Sequence, residues 1–273
     1  MDRKPFEKKE KAHRTRKKPT AVTVFHLFRL VYRSLLFAAG TVAYIFLRIR
    51  GGSGLTDELG RHPIPMMIMW VVFVFEMVLR FFPSGLESPG CQKQFQENYI
   101  KTGATDIRID DNNAAFLVAL VWVIPNVVLG GLYLSGVIDS GIMVLICSAY
   151  SVCDMICILF FCPFQTWFMK NKCCCTCRIY NWDYAMMFTP LFFVRGWYTW
   201  SLFGLSIALL IRWEVTFFRH PERFSEQTNG YLACSNCTEK LCRNKKQLRT
   251  LWARAAEFTK KRLEKLSFPN QKK

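Results

Sequence analysis

Apolar residues run in long blocks along this chain, without the alternation of a half-buried strand or the narrow stripe of a soluble amphipathic helix. On a window of about 19 residues, five blocks stand out, at 22–47, 64–82, 114–138, 141–161 and 184–213. Lipid offers no partner to backbone N–H and C=O groups, so blocks of this length predict transmembrane helices. The third and fourth are separated only by "DS" and its neighbours and predict an antiparallel helical hairpin. The first carries Arg29 and Arg33 on one face, four residues apart. Their stems suit snorkelling to lipid phosphates, with the start of the segment lying in the interface before it crosses. As a straight helix the fifth block would reach roughly 45 Å at about 1.5 Å per residue, longer than a hydrocarbon core. Arg195 and Gly196 divide it, so it is either a tilted span with an interfacial preamble, "YAMMFTP", or a broken, re-entrant hairpin.

Composition alone would not have separated this chain from a soluble protein. The apolar share is 51% of 273 residues, with both ends very polar. The charge is more telling, at 37 Lys and Arg against 20 Asp and Glu. Residues 1–20 hold nine basic and three acidic side chains, and residues 212–273 hold fifteen and six. Basic flanks resist translocation, so both termini are expected in the cytoplasm. The run "KPFEKKEKAHRTRKK" reads as a solvated, disordered tail within residues 1–21, with no nucleic-acid partner expected. It is too long for a signal peptide, and no small-residue cleavage site follows at the required distance.

Counting crossings produces a conflict. With the N-terminus inside and segments one to four each crossing, residues 163–183 fall inside. A full fifth crossing then places the basic C-terminal region, 214–273, outside. Either the fifth segment turns back or the first does not cross. Within that C-terminal region, residues 245–266 put Leu248, Leu251, Trp252, Ala255, Leu263 and Leu266 near one helical face, with Lys and Arg opposite. This is a basic amphipathic helix suited to a bilayer with anionic headgroups, or alternatively to a partner protein.

Twelve cysteines supply the strongest chemical signal. In "KCCCTC", Cys174 and Cys177 form a C-x-x-C, flanked by Cys173 and Cys175; Cys234 and Cys237 form a second, followed by Cys242. A C-x-x-C turn presents two thiolates to one metal, and two such turns complete a tetrahedral S4 site. Both pairs must then lie on the same side of the membrane, a demand that a fifth segment turning back would satisfy. Zinc would tie the loop to the tail. An iron–sulfur cluster would instead make an electron carrier beside the bilayer, within reach of a quinone or a membrane protein partner. The surplus of thiols, Cys162 included, leans towards clusters. Adjacent juxtamembrane cysteines are also acceptors for S-palmitoylation, and in an oxidising compartment the tail cysteines would pair as disulfides. Cys147, Cys153 and Cys157, in the fourth segment, read as packing residues.

Ionisable residues inside apolar blocks form a second set: Glu76, Asp154 and Arg195. They are costly in lipid and should face one another or water, with Asp154 and Arg195 the expected pair. "IPNVVLGG" supplies Pro125, Asn126, Gly130 and Gly131, a kink and a close-packing surface. His220, in "FFRHPERF", is a further metal ligand or proton relay, or simply polar surface. No Walker loop, dinucleotide fingerprint, H-E-x-x-H helix or G-x-S-x-G elbow occurs, which removes the usual support for NTPase and hydrolase readings.

The sequence therefore predicts an all-α integral membrane protein with a bundle of four to five apolar segments and basic cytoplasmic tails. Its expected function is thiolate metal binding, as an iron–sulfur redox carrier in membrane electron transfer. A small-solute or ion transporter or scaffold with structural zinc, or a palmitoylated adaptor without metal, stands as the alternative.

Overall fold

The structure, a computed structural model, describes residues 21–51, 54–83, 89–107, 112–171 and 173–233. The N-terminal basic tail and the amphipathic segment at 245–266 lie outside the described residues. All regular elements among the described residues are helical, and no strand occurs there beyond one isolated bridge between Lys101 and Asn229.

The first block folds as one continuous helix, α1 (Ala21–Ile49). It stops at Gly51, whose φ of 64° only glycine adopts without strain. Two helices follow, α2 (Leu55–Arg61) and α3 (Pro63–Leu79), bent by 97° at His62. Pro63 causes the break: its ring disfavours helical geometry for the preceding residue, and the first helical position tolerates its missing N–H. After the short α4 (Pro89–Gln94) comes α5 (Asn112–Leu134), which runs through Pro125. The turn into α6 (Ser140–Leu159) is locally specified. Gly136 sits at φ 76°, Val137 N–H donates to Leu132 O at 3.0 Å, and Asp139 caps α6 by accepting from Ile142 N–H at 2.8 Å.

The fifth block is broken. α7 (Asp183–Phe188) continues into a 3-10 turn, Thr189–Phe192, and the chain reverses at Arg195 and Gly196 into α8 (Trp197–Arg219). The division lies where the sequence marks it, and the last helix runs six residues beyond Trp213. α1, α5, α6 and α8 are each long and apolar enough to cross a membrane; α2 with α3 forms a bent fifth candidate.

Contacts fix the helix directions. Tyr44 donates to Asp139 at 3.0 Å near one end of α1, and Arg33 to Asp154 at 3.2 Å further along, so α1 and α6 are antiparallel. Trp70 donates to Ser201 at 2.8 Å, and Arg212 bonds the Phe81 carbonyl; the two contacts advance together along both helices, so α3 and α8 are parallel. α5 runs alongside α7 and its 3-10 turn, with Trp122 donating to Thr189 at 3.2 Å. The seam of the α5/α6 hairpin is thus partly filled by a later segment, and α6 packs mainly on α1. Residues 80–83, 89–107, 160–171, 173–182 and 219–233 gather at one end of the bundle with the start of α1, and the turns at 54–62 and 135–139 at the other.

Candidate functional site

Polar residues on α1 recur at His26, Arg29 and Arg33, spacings of three and four that bring them onto one face. That face is turned inward. All three are at most 1% exposed. The expectation that Arg29 and Arg33 snorkel to phosphates is therefore corrected, because carboxylates inside the bundle are closer partners than lipid headgroups. Arg33 lies 2.6 Å from Glu76 and 3.2 Å from Asp154, and Arg29 lies 3.0 Å from Glu76. Glu76 also accepts hydrogen bonds from Tyr32 at 2.6 Å and Tyr184 at 3.0 Å. One helical turn beyond Glu76, Arg80 pairs with Asp183 at 2.6 Å and stacks on the Tyr184 ring. Three arginines thus meet three carboxylates, and the cluster is balanced in formal charge. Balance matters because removing one partner of a buried pair costs about 3–5 kcal/mol, whereas the intact pair contributes little net stability.

Of the intramembrane polar residues expected from the sequence, Glu76 and Asp154 belong to this network. Arg195 does not: it is exposed in the turn before α8, and the partner of Asp154 is Arg33. Arg33, Arg29, Arg80 and Asp183 were missed as members. The inward face of α1 was available as a signal, since three polar residues at helical spacing in an apolar helix mark a bundle-facing stripe.

A second group of polar contacts seats the cysteine loop. Arg178 approaches Glu214 on α8 with Nη2 at 2.5 Å and Nε at 3.1 Å, and donates to Asn112 at the start of α5 at 2.6 Å. Trp182 also donates to Glu214, at 2.7 Å. Two buried amides brace the loop from the other side, and a third ties α4 to the segment after α8. Gln94 on α4 donates to the Cys175 carbonyl at 2.9 Å and accepts from Asn181 at 2.7 Å. Asn229 donates to the carbonyls of Lys93 and Arg223, both at 2.9 Å. No periodicity announces such amides, because Asn and Gln are ordinarily surface residues.

The result is a polar cap at one end of the bundle with the thiols inside it. Cys173, Cys175 and Cys177 are buried. Cys173 and Cys175 pack in one cluster with Leu232, from the segment after α8. Cys177 packs elsewhere, with Ala115, Val118, Met169 and Ile179. The side chain of Cys174 and all of Cys234, Cys237 and Cys242 lie outside the described residues. Among the described residues no group of three or more His, Cys, Asp or Glu is placed to hold a metal ion. His220 ends α8 with its ring 3.2 Å from Glu222, on the surface. Cys147 is a packing thiol, donating to the Met187 carbonyl at 3.2 Å.

Between the network and the cap lies a cavity of about 120 Å³, lined from α5, α6, the cysteine loop and α7. Asp154 and Asp183 reach it from the network, and Cys177 from the loop. No protein family, curated protein or solved structure matches the chain.

Proposed function

We propose that this chain is an integral membrane protein carrying a thiolate metal centre at one end of its helical bundle, built from the cysteine loop and the C-terminal region. The membrane assignment is supported by the four long apolar helices and by what they leave uncovered. Phe28, Leu35, Ile64, Phe116 and Leu134 are each more than 60% exposed on outer faces. Apolar surface on that scale suits lipid and not water.

One observation carries the metal reading. Leu232 packs against Cys173 and Cys175, and Cys234 follows two residues later in the chain. Two extended residues span about 7 Å, a length that lets Cys234 reach the first thiol cluster. The reversal at Arg195 and Gly196 makes this possible by returning α8 to the end where residues 160–182 lie. The C-x-x-C spacing favours Cys174 and Cys177 with Cys234 and Cys237; because Cys173 and Cys175 pack on Leu232 while Cys177 packs elsewhere, the favoured loop ligands become Cys173 and Cys175, with Cys234 and Cys237 from the tail. Cys174, Cys177 and Cys242 are the remaining candidates. Four thiolates would suit zinc, as a staple between loop and tail, or an iron–sulfur cluster, as an electron carrier at the membrane face.

The test is metal and acid-labile sulfide content of protein purified anaerobically in detergent, compared with the Cys234→Ser/Cys237→Ser double variant and with Cys147→Ser as a control. The expected result is a stoichiometric metal centre in the wild type and control, lost in the double variant. Iron with sulfide would point to electron transfer, and zinc alone to a structural role. Metal-free, intact and reduced wild-type protein would sink the reading and turn attention to lipidation or disulfides.

A further inference from the structure

The cavity beneath the cap runs from the outer surface of the bundle to its core. Cys153 on α6 is exposed and lines it at one side, while Met187, 1% exposed, lines it at depth. Its mouth therefore opens on the lipid-facing side of α6, a placement that rests on the membrane assignment and not on the metal centre. Ions are poorly served inside. Asp154 and Asp183 stand in the wall, but Arg33 and Arg80 pair with them from outside it, and no Lys, Arg or His lines the cavity. The surface that remains is overwhelmingly apolar. A cavity of this kind stays dry and takes an apolar guest.

The wall selects further than apolarity alone. Of its fifteen residues six carry sulfur, namely Cys153, Cys157, Cys162, Cys177, Met186 and Met187, and four are aromatic. Only two, Ile158 and Ile179, are aliphatic. Trp122 anchors the aromatic side, with its ring centroid 4.6 Å from that of Tyr150 and 6.2 Å from that of Phe164. Sulfur atoms and ring edges are polarisable and gain more from an aromatic guest than from a saturated chain. The backbone beside this wall is also unusual. Phe164 opens a π-turn, Phe164–Phe168, closed by Met169 N–H donating to Phe164 O at 3.0 Å, and Lys170 follows at φ 49°. Both conformations are uncommon and concentrate at functional sites.

From this we infer that the cavity receives the neutral aromatic ring of a molecule dissolved in the bilayer. At about 120 Å³ it has room for one ring, since a dry cavity of about 150 Å³ accommodates benzene. Substituents or a chain on that ring stay at the mouth, in lipid. The ring restores contacts that an unfilled apolar cavity forgoes, a loss that grows with its volume.

The test is a fluorine NMR titration of fluorobenzene into protein in zwitterionic nanodiscs, corrected for empty discs and expressed per mole of lipid so that partitioning cancels. Fluorocyclohexane is the saturated comparator. The expected result is saturable binding of one fluorobenzene, about threefold or more tighter than fluorocyclohexane, displaced by benzene and not by benzylammonium. Cys157→Phe and Met186→Phe fill the cavity from α6 and α7, outside the ion pairs, and each should abolish binding in protein that keeps a cooperative thermal transition. Cys234→Ser/Cys237→Ser should bind like the wild type, which separates this site from the thiolate centre; failure of the protein to enter discs would instead count against the membrane assignment. Equal affinity for fluorocyclohexane would mean a general site for hydrocarbon such as an acyl chain, and displacement by benzylammonium would mean a cation site. Non-saturable uptake by the wild type, or wild-type affinity in both folded phenylalanine variants, would mean that no ring is held in this cavity. Each of these outcomes overturns the inference.

Discussion

Glu76 concentrates the energetic risk of this protein in one side chain. Its two oxygens take contacts from Arg29, Arg33, Tyr32 and Tyr184, so Glu76→Gln leaves two buried guanidinium groups facing a neutral amide. The expected loss is about 3–5 kcal/mol, the cost of orphaning a buried charge, read as a large fall in the unfolding midpoint in detergent. Arg195→Gln should change the midpoint by no more than about 0.5 kcal/mol equivalent, the ordinary range for a surface substitution, because Arg195 is exposed. Asp154→Asn, in contact with Arg33, should fall on the Glu76 side of that divide. Sequence reasoning identifies all three as ionisable residues in apolar blocks. It cannot rank them, because cost in a membrane depends on the partner, and partners come from other helices.

The helices show the same limit one level up. In α5, Gly130 and Gly131 are adjacent in sequence but not equivalent: a Cβ on Gly130 would overlap the Phe193 ring, while nothing lies within 4 Å of one on Gly131. Gly130→Ala should therefore destabilise by about 1–3 kcal/mol, the range for overpacking. Gly131→Ala should leave the thermal midpoint equal or higher, since alanine is the better helix residue. The sequence marks the pair as a packing surface, and the structure supplies what packs there, Phe193 just before the break in the fifth segment. The cysteine loop depends on another contact between elements. Glu214→Gln weakens the fork between α8 and Arg178, and should speed labelling of Cys177 by a small thiol reagent several-fold before global unfolding. Unchanged labelling would show that the amide braces at Gln94 and Asn181 suffice to hold the loop.

At the scale of the whole molecule, the directions of the helices predict which turns share a side. A reporter inserted at Gly103 should fall on the opposite side of the membrane from one inserted at Gly136. Both are surface turns at positive φ. Reporters on the same side would refute the arrangement of α5 within a spanning bundle. The hydrophobic pattern by itself determined where the long helices lie, because the number of apolar residues needed to cross lipid is set by bilayer thickness and helix rise. It also marked Arg195 and Gly196 as the point of division in an overlong block, while the choice between a tilted span and a broken one came from the structure. The thiols were conspicuous for a similar reason, since their C-x-x-C spacing is local. Only the tertiary structure decided that Arg29 and Arg33 face inward, that Asp154 belongs to Arg33, and that Leu232 rests on Cys173 and Cys175. Those outcomes depend on which residues far apart in the chain become neighbours. A periodicity shows that a helix has a polar face, but the elements packed around it determine whether that face meets lipid phosphate or a carboxylate.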